Sequence, residues 1–234
     1  VILGQRAFVA VVTSGDNFKE PAGHLATIDL ATKQVVATCD LGGQPDSITL
    51  SKDKSRLVVV IENERDEKLD KGALPQLPAG NLTLIGVKDG QADCASRQLV
   101  DLTGLATVEP TDPEPEFVDV NAEGLAVVTL QENNHIVLVD TKTGKVTGHF
   151  SAGSVDLKGI DKTRDGRINP VEELKGLARE PDSVRWLDND RFVTANEGDW
   201  KGGSRGFTIF RKDGTVEFDS GAATDHVAMR LGPY

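Results

Sequence analysis

The sequence predicts an all-β fold: a β-propeller of four-stranded antiparallel blades, about four of them, forming part of a larger ring. The first observation is a unit used three times: PDSITLSKDKSRLVVVIENE from Pro45, PEFVDVNAEGLAVVTLQENN from Pro115 and PDSVRWLDNDRFVTANEGD from Pro181. Each opens on Pro and an acid, crosses a polar turn, continues into a β-branched run and ends on Asn and Glu. The second is a strand pair after each unit, in which alternating apolar residues flank a short turn, the signature of a hairpin. The third is the sum of the two, since four antiparallel strands repeated along a chain are the recurring element of a propeller.

Blade one covers about 5–42. Its QRAFVAVVTSG corresponds to the β-branched run, so the opening Pro-acid strand is missing and the chain begins inside a blade; HLATIDLATKQVVATCDL supplies the hairpin. Blade two covers about 45–102 with NLTLIGVKDGQADCASRQLVDL, blade three about 115–153 with HIVLVDTKTGKVTGHFSAG, and blade four about 181–221 with GFTIFRKDGTVEFDSG. Insertions at 64–79, 103–114 and 154–180 stretch the repeat beyond the ~40 to 50 residues usual for a blade. The tail ATDHVAMRLGPY reads as a strand, either closing a small ring on blade one or starting a further blade. An open arc exposes two blade faces and an unpaired edge, so self-association or further blades are expected.

Composition excludes several function classes. The formal net charge is −11, from 26 Lys and Arg against 37 Asp and Glu, which disfavours nucleic acid or anionic lipid and suits metal cations. No run approaches the ~18 to 20 apolar residues of a membrane helix. The chain starts at Val1 without a signal pattern, as a mature or trimmed chain would. Cys39 and Cys94 are the two cysteines. They are compatible with one disulfide in an oxidising compartment, stapling blades one and two, with two buried thiols as the alternative.

DKTRDGRINPVE, Asp161 to Glu172, has the spacing of an EF-hand calcium loop. Asp161, Thr163, Asp165, the Arg167 carbonyl, Asn169 and Glu172 take positions 1, 3, 5, 7, 9 and 12, and Gly166 supplies the sharp turn at position 6. Three carboxylates and neutral oxygens suit Ca²⁺, a hard cation that takes six to eight oxygens. VEELKGLA after the loop reads as a short helix, with Pro170 suited to its first turn. Thr163 replaces the usual Asp or Asn, and no long helix precedes the loop. The expected role is structural, ordering a polar insertion; a solvated acidic turn is the alternative.

Acids also recur where the β-branched runs end: Glu62 and Glu64, Glu132, then Glu197 and Asp199, accompanied by Asn63, Asn133 and Asn196. These residues either satisfy backbone groups at strand ends or form a ring of oxygens that holds metal ions at the channel mouth. Bound cations could hold and polarise a phosphoryl group and activate water. No nucleophile motif accompanies them: GxSxG is absent, and His24, His135, His149 and His226 lack metal spacing. Arg65, Arg179 and Arg205 border the acids, more as salt-bridge partners than as an anion site.

GGQPDSITLSKD, PEPEFVDV, VVTLQENNHIVLVD and REPDSV followed by FVTANEGDW resemble the secreted bacterial propellers of the choice-of-anchor I group, related to phytase-like esterases and alkaline phosphatases. The resemblance runs from about Gly42 to Trp200. It implies a propeller in the periplasm or outside the cell. Two functions stay open: a calcium-binding module that holds a small molecule, polymer or protein, or a metal-assisted phosphoester hydrolase. Fold alone does not choose between them.

Overall fold

A computed structural model describes residues 1–66, 68–163, 165–198 and 202–231. Blade one is β1 (Ile2–Leu3), β2 (Arg6–Val12), β3 (Gly23–Asp29) and β4 (Gln34–Asp40); blade two is β5 (Pro45–Leu50), β6 (Arg56–Ile61), β7 (Asn81–Lys88) and β8 (Gln91–Asp101). Blade three is β9 (Pro115–Val120), β10 (Leu125–Leu130), β11 (His135–Asp140) and β12 (Lys145–Ser151). A separate hairpin follows, β13 (Ser154–Ile160) and β14 (Glu172–Ala178). Blade four is β15 (Pro181–Trp186), β16 (Arg191–Asn196), β17 (Gly206–Arg211) and β18 (Val216–Asp219), and α1 (Ala223–Leu231) ends the described chain. Within each blade the strands pair antiparallel in chain order.

Packing between blades explains the apolar runs. In β6, Leu57, Val59 and Ile61 join Phe8 and Leu25 of blade one, while Val58 and Val60 join Val118, Val128 and Leu130 of blade three. A strand buried on both faces cannot alternate apolar with polar, hence LVVVI. β10 does the same, turning Val127 toward Phe192 and Phe210 of blade four. The inner strands β5, β9 and β15 pack side by side along the centre. Two glycines set how closely a blade approaches the next inner strand. A Cβ on Gly23 would strike the Pro45 ring, and one on Gly80 would lie 2.5 Å from Cδ of Pro115 and 2.7 Å from the Glu62 carbonyl oxygen. Cys39 of β4 and Cys94 of β8 are bonded across the outer strands of blades one and two, with Cα atoms 5.3 Å apart.

Three expectations change. Blade one has an inner strand after all, the two residues of β1 paired with β2. VEELKGLA is not a helix: Glu172–Ala178 is β14, with Leu174 opposite Leu157 and Leu177 opposite Val155. Gly176 at φ 65° would break a helix, and cross-strand pairing overrides the helical propensity of the segment. The tail is not a strand: Ala223–Leu231 is α1, with Asp225 in its first turn and Arg230 in its last, matching the helix dipole. His226 Nε2 lies 2.9 Å from the Gly159 carbonyl oxygen, which holds α1 against the hairpin.

Candidate metal centre at the channel mouth

The inner strands begin with Pro45-Asp46, Pro115-Glu116 and Pro181-Asp182, and each proline is buried at the head of its strand, where a missing N–H costs no ladder bond. The prolines pair with Ile61, Leu130 and Asn196. The next residue of each second strand is then fixed by its N–H to the carbonyl before the proline: Glu62 to Gln44 at 3.0 Å, Gln131 to Glu114 at 3.1 Å and Glu197 to Glu180 at 3.2 Å. Three blades thus present the pairs Asp46 with Glu62, Glu116 with Gln131, and Asp182 with Glu197 to one end of the channel.

These groups converge. Carboxylate oxygens of Asp46, Glu62 and Glu116 lie within 4.8 Å of one another, the one such set of three among the described residues. Glu62 and Glu116 border a cavity of about 320 Å³ also lined by Glu64, Arg65, Glu132 and Glu197. Burial, then the charges of Asp46, Glu64 and Glu132, pushes Glu62 up to about 8. Burial, then Glu62, Asp46 and Asp182, pushes Glu116 up to about 10. Asp46 rises to about 6, from burial and then Asp182 and Glu64, and Asp182 rises from burial and then Glu197. Arg65, in the same cavity, pairs with other acids. Its Nε lies 3.2 Å from both Asp112 and Glu114 and its Nη1 3.4 Å from Glu132. Glu114 is itself pushed up to about 12, by burial and then by its hydrogen bond to Glu132. Carboxylates this close repel one another, a cost that protons or a cation would relieve.

The strand-end residues divide by residue type. Asn63 accepts the Gln44 N–H at 2.8 Å and donates to the Pro78 carbonyl at 3.0 Å. Asn133 accepts the Glu114 N–H at 2.8 Å and donates to the carbonyls of Val108 and Asp112. Asn196 bonds Thr208. Asn63 and Asn133 tie backbone together and Asn196 ties side chains, while the acids face the mouth. Glu64 accepts from Gln44 Nε2 at 3.1 Å and Glu197 from Gln131 Nε2 at 2.9 Å. Glu132 is not the blade equivalent of Glu62 and Glu197: register gives that place to Gln131, and Glu132, one residue on, meets Arg65. Asp199 lies outside the described residues. Asp46, Glu116 and Asp182 were missed as site residues, although their signal, an acid after each repeat's proline, was visible.

The calcium-like loop lies apart, at the tip of the β13–β14 hairpin. Asp161 accepts the N–H of Thr163 at 2.9 Å and of Asn169 at 2.8 Å, which holds its carboxyl below the ordinary value, the Asn169 bond first. Asp165 accepts the Arg167 N–H at 2.9 Å. Glu172 accepts the Lys162 N–H at 2.8 Å, with the Lys162 ammonium 3.5 Å away. Gly166 has the left-handed φ of 78° expected at the turn. The three acids do not gather as those of the mouth do, and Glu172 heads a strand instead of a helix. His135 and His149 face each other, Nε2 to Nδ1 at 3.1 Å, and Arg179 pairs with Asp219 at 2.8 Å.

The chain is therefore a β-propeller arc with an acidic channel mouth. Residues 2–202 match the choice-of-anchor I domain, and the chain belongs to that family. Membership points to a secreted or cell-surface protein, and no helix among the described residues is long and apolar enough to cross a membrane. Comparison with curated proteins gives no match. Among solved structures, the chain is similar to hydrazine synthase of Kuenenia stuttgartiensis, at 15% identity and TM-score 0.55 over 91% of this chain and 57% of that one. It is similar to a chain of the mitotic checkpoint complex, at 8% identity and TM-score 0.50 over 85% and 48%, and to Saccharomyces cerevisiae Sqt1, at 11% and 0.50 over 91% and 48%. At these identities the likeness is one of fold alone. The chain spans about half the length of the structures it matches.

Proposed function

We propose that this chain is a secreted or surface-displayed module that binds its ligand through a divalent cation held by Asp46, Glu62 and Glu116. The observation that carries the reading is the approach of these three carboxylates to within 4.8 Å. An all-oxygen, multiply anionic site favours a hard cation, Ca²⁺ foremost, and a cation seated there would leave part of its coordination shell for an anionic group on a small molecule, polymer or protein. Arg65 in the same cavity favours a second reading, phosphoester hydrolysis of phytase-like or alkaline-phosphatase type, in which the cation would supply Lewis-acid activation. Binding comes first because Arg65 is already engaged by three carboxylates and no Ser, Thr or Cys lines the mouth among the described residues. Calorimetric titration of the chelator-treated protein with Ca²⁺ should give a site that Asp46→Asn or Glu116→Gln removes. Binding without turnover of p-nitrophenyl phosphate or phytate supports the module; cation-dependent turnover lost in Glu116→Gln moves the assignment to the hydrolase. No binding at millimolar Ca²⁺ rejects both.

The hairpin loop is proposed as a second calcium site with a structural role. Asp161, Thr163, Asp165, Arg167, Asn169 and Glu172 supply the right oxygens, but Glu172 must release the Lys162 N–H and ammonium to reach a common centre. Affinity is therefore expected to be weak. Ca²⁺ at a hundredfold excess over its dissociation constant should stabilise the protein by about 2.7 kcal/mol through this site. Asp161→Ala or Glu172→Ala should remove that gain and lower the ion stoichiometry by one while the blades stay folded. Wild-type binding in both variants would leave the loop a polar turn.

A further inference from the structure

The insertion between β6 and β7 is fastened at its root and, among the described residues, bonded only to itself at its tip. At the root, Asn63 donates to the carbonyls of Pro78 and Ala79 at 3.0 and 3.3 Å. Asp66 and Gln76 exchange two bonds, the Asp66 N–H to Gln76 Oε1 at 2.8 Å and Gln76 Nε2 to the Asp66 carbonyl at 3.0 Å. Asp112, buried in the following insertion, accepts the Gln76 N–H at 3.0 Å and Arg65 Nε at 3.2 Å, while Arg65 Nη2 donates to the Asp112 carbonyl at 2.7 Å. Both ends are thereby fixed near the junction of blades two and three. At the tip, the N–H groups of Lys68, Leu69, Lys71 and Gly72 donate to Asp66, Lys68 and Leu69, all within the insertion, and the short helical turn Leu69–Lys71 has no buried residue.

This tip is also a wall of the mouth. Gly72 and Leu74 line the same cavity as Glu62 and Glu116, and Leu74, half-buried, is the apolar side chain set there among acids. The backbone leading to it is left-handed at three successive residues, Asp70 at φ 47°, Lys71 at 64° and Gly72 at 74°. Only glycine adopts that region freely, so Asp70 and Lys71 hold a conformation their side chains disfavour. Exposed and self-bonded, the tip can leave it without breaking a bond to the blades. A rigid root, a self-contained tip and a face on the acidic cavity are the parts of a lid.

We infer that residues 69–74 are a lid that closes on the mouth when a divalent cation binds Asp46, Glu62 and Glu116; the inference rests on the cation reading of that site. With the lid in place, Leu74 and the Gly72 backbone keep water from one side of the carboxylates, and the lower local dielectric strengthens their attraction for the cation. The closed form therefore binds the cation more tightly, and by linkage the cation raises the closed population. Lys68 and Lys71, both exposed, report on it as cleavage points. The Asp161→Ala protein, used to remove binding at the hairpin loop, is digested with a lysine-specific protease in chelator and in millimolar Ca²⁺, and Ca²⁺ binding is measured by calorimetry on the same preparation. Cleavage of an opened segment follows its open population, so cutting after Lys68 and Lys71 should slow at least about tenfold in Ca²⁺. Cutting after Lys19, exposed in the turn between β2 and β3, should stay unchanged, and adding Glu116→Gln should abolish the protection. Ca²⁺ binding with unchanged cleavage of the lid, or with equal slowing at Lys19, overturns the lid and leaves the cation site standing. No Ca²⁺ binding overturns both.

Discussion

Glu62→Gln should stabilise the cation-free protein by about 2 kcal/mol at pH 7, a rise in Tm of about 4–8 °C for a chain of this size. Glu62 is buried beside Asp46 and Glu116, and its folded value stands at about 8 against an ordinary 4.5. Below the ordinary value the group is protonated in both states, so wild type and variant should differ little at pH 4. As pH rises from there toward 8, the unfolded chain releases a proton that the folded chain retains, and stability falls by linkage. Holding a carboxyl protonated at pH 7 gives a ceiling of about 3 kcal/mol, reduced by residual solvent at the mouth. The amide keeps shape and hydrogen bonding without the titration, so its advantage should grow with pH. Added Ca²⁺ should reverse the order, raising the Tm of wild type more than that of the variant. Thermal melts in chelator at pH 4 and pH 7, repeated with Ca²⁺, make the comparison; destabilisation of the variant at both pH values in chelator would refute the account of the mouth as a strained carboxylate cluster.

The second large effect is loss of the Cys39–Cys94 bridge. The cysteines are separated by 55 residues, and the chain-entropy relation assigns a loop of that length about 4 kcal/mol. Cys39 packs with Phe8, Leu25 and Leu57 at the junction of blades one and two, whereas Cys94 is exposed, so reductant has access to the bond. Cys94→Ser, or reduction, should lower Tm by about 8–16 °C. Substitution at Cys94 avoids disturbing the buried partner's packing. Alkylation under denaturing, non-reducing conditions should find no free thiol in wild type; two labelled cysteines would remove the basis of the prediction.

The blades were legible because the Pro-acid opening, the polar turn and the β-branched run all recur, and because strands buried on both faces leave uninterrupted apolar runs such as LVVVI and LAVV. VEELKGLA was not legible: Leu174 and Leu177 have helical spacing, and only their pairing with Leu157 and Val155 makes them a strand. The tail failed for the opposite reason. Its apolar residues fit a strand pattern, but no partner edge receives them, and the charges at its ends favour a helix. At the mouth, Glu62, Glu64, Glu132 and Glu197 could be read from strand ends. Asp46, Glu116 and Asp182 could not be placed beside them, because that convergence comes from three blades meeting around an axis, which local pattern does not encode.

Gly80 connects blade packing to ion size. It lies between the Glu62 carbonyl and the Pro115 ring, and the acids on either side, Glu62 and Glu116, are two members of the carboxylate trio. The gap between those acids is therefore set by the thickness of a backbone with no side chain. Oxygen distances differ by only about 0.3–0.5 Å between Mg²⁺ and Ca²⁺, less than the displacement a methyl group at Gly80 would force. Were a cation seated there as proposed, discrimination between the two ions would depend on a residue that carries no ligand atom, and a chain that kept every acid but gained one Cβ there would hold the same charge around a different radius.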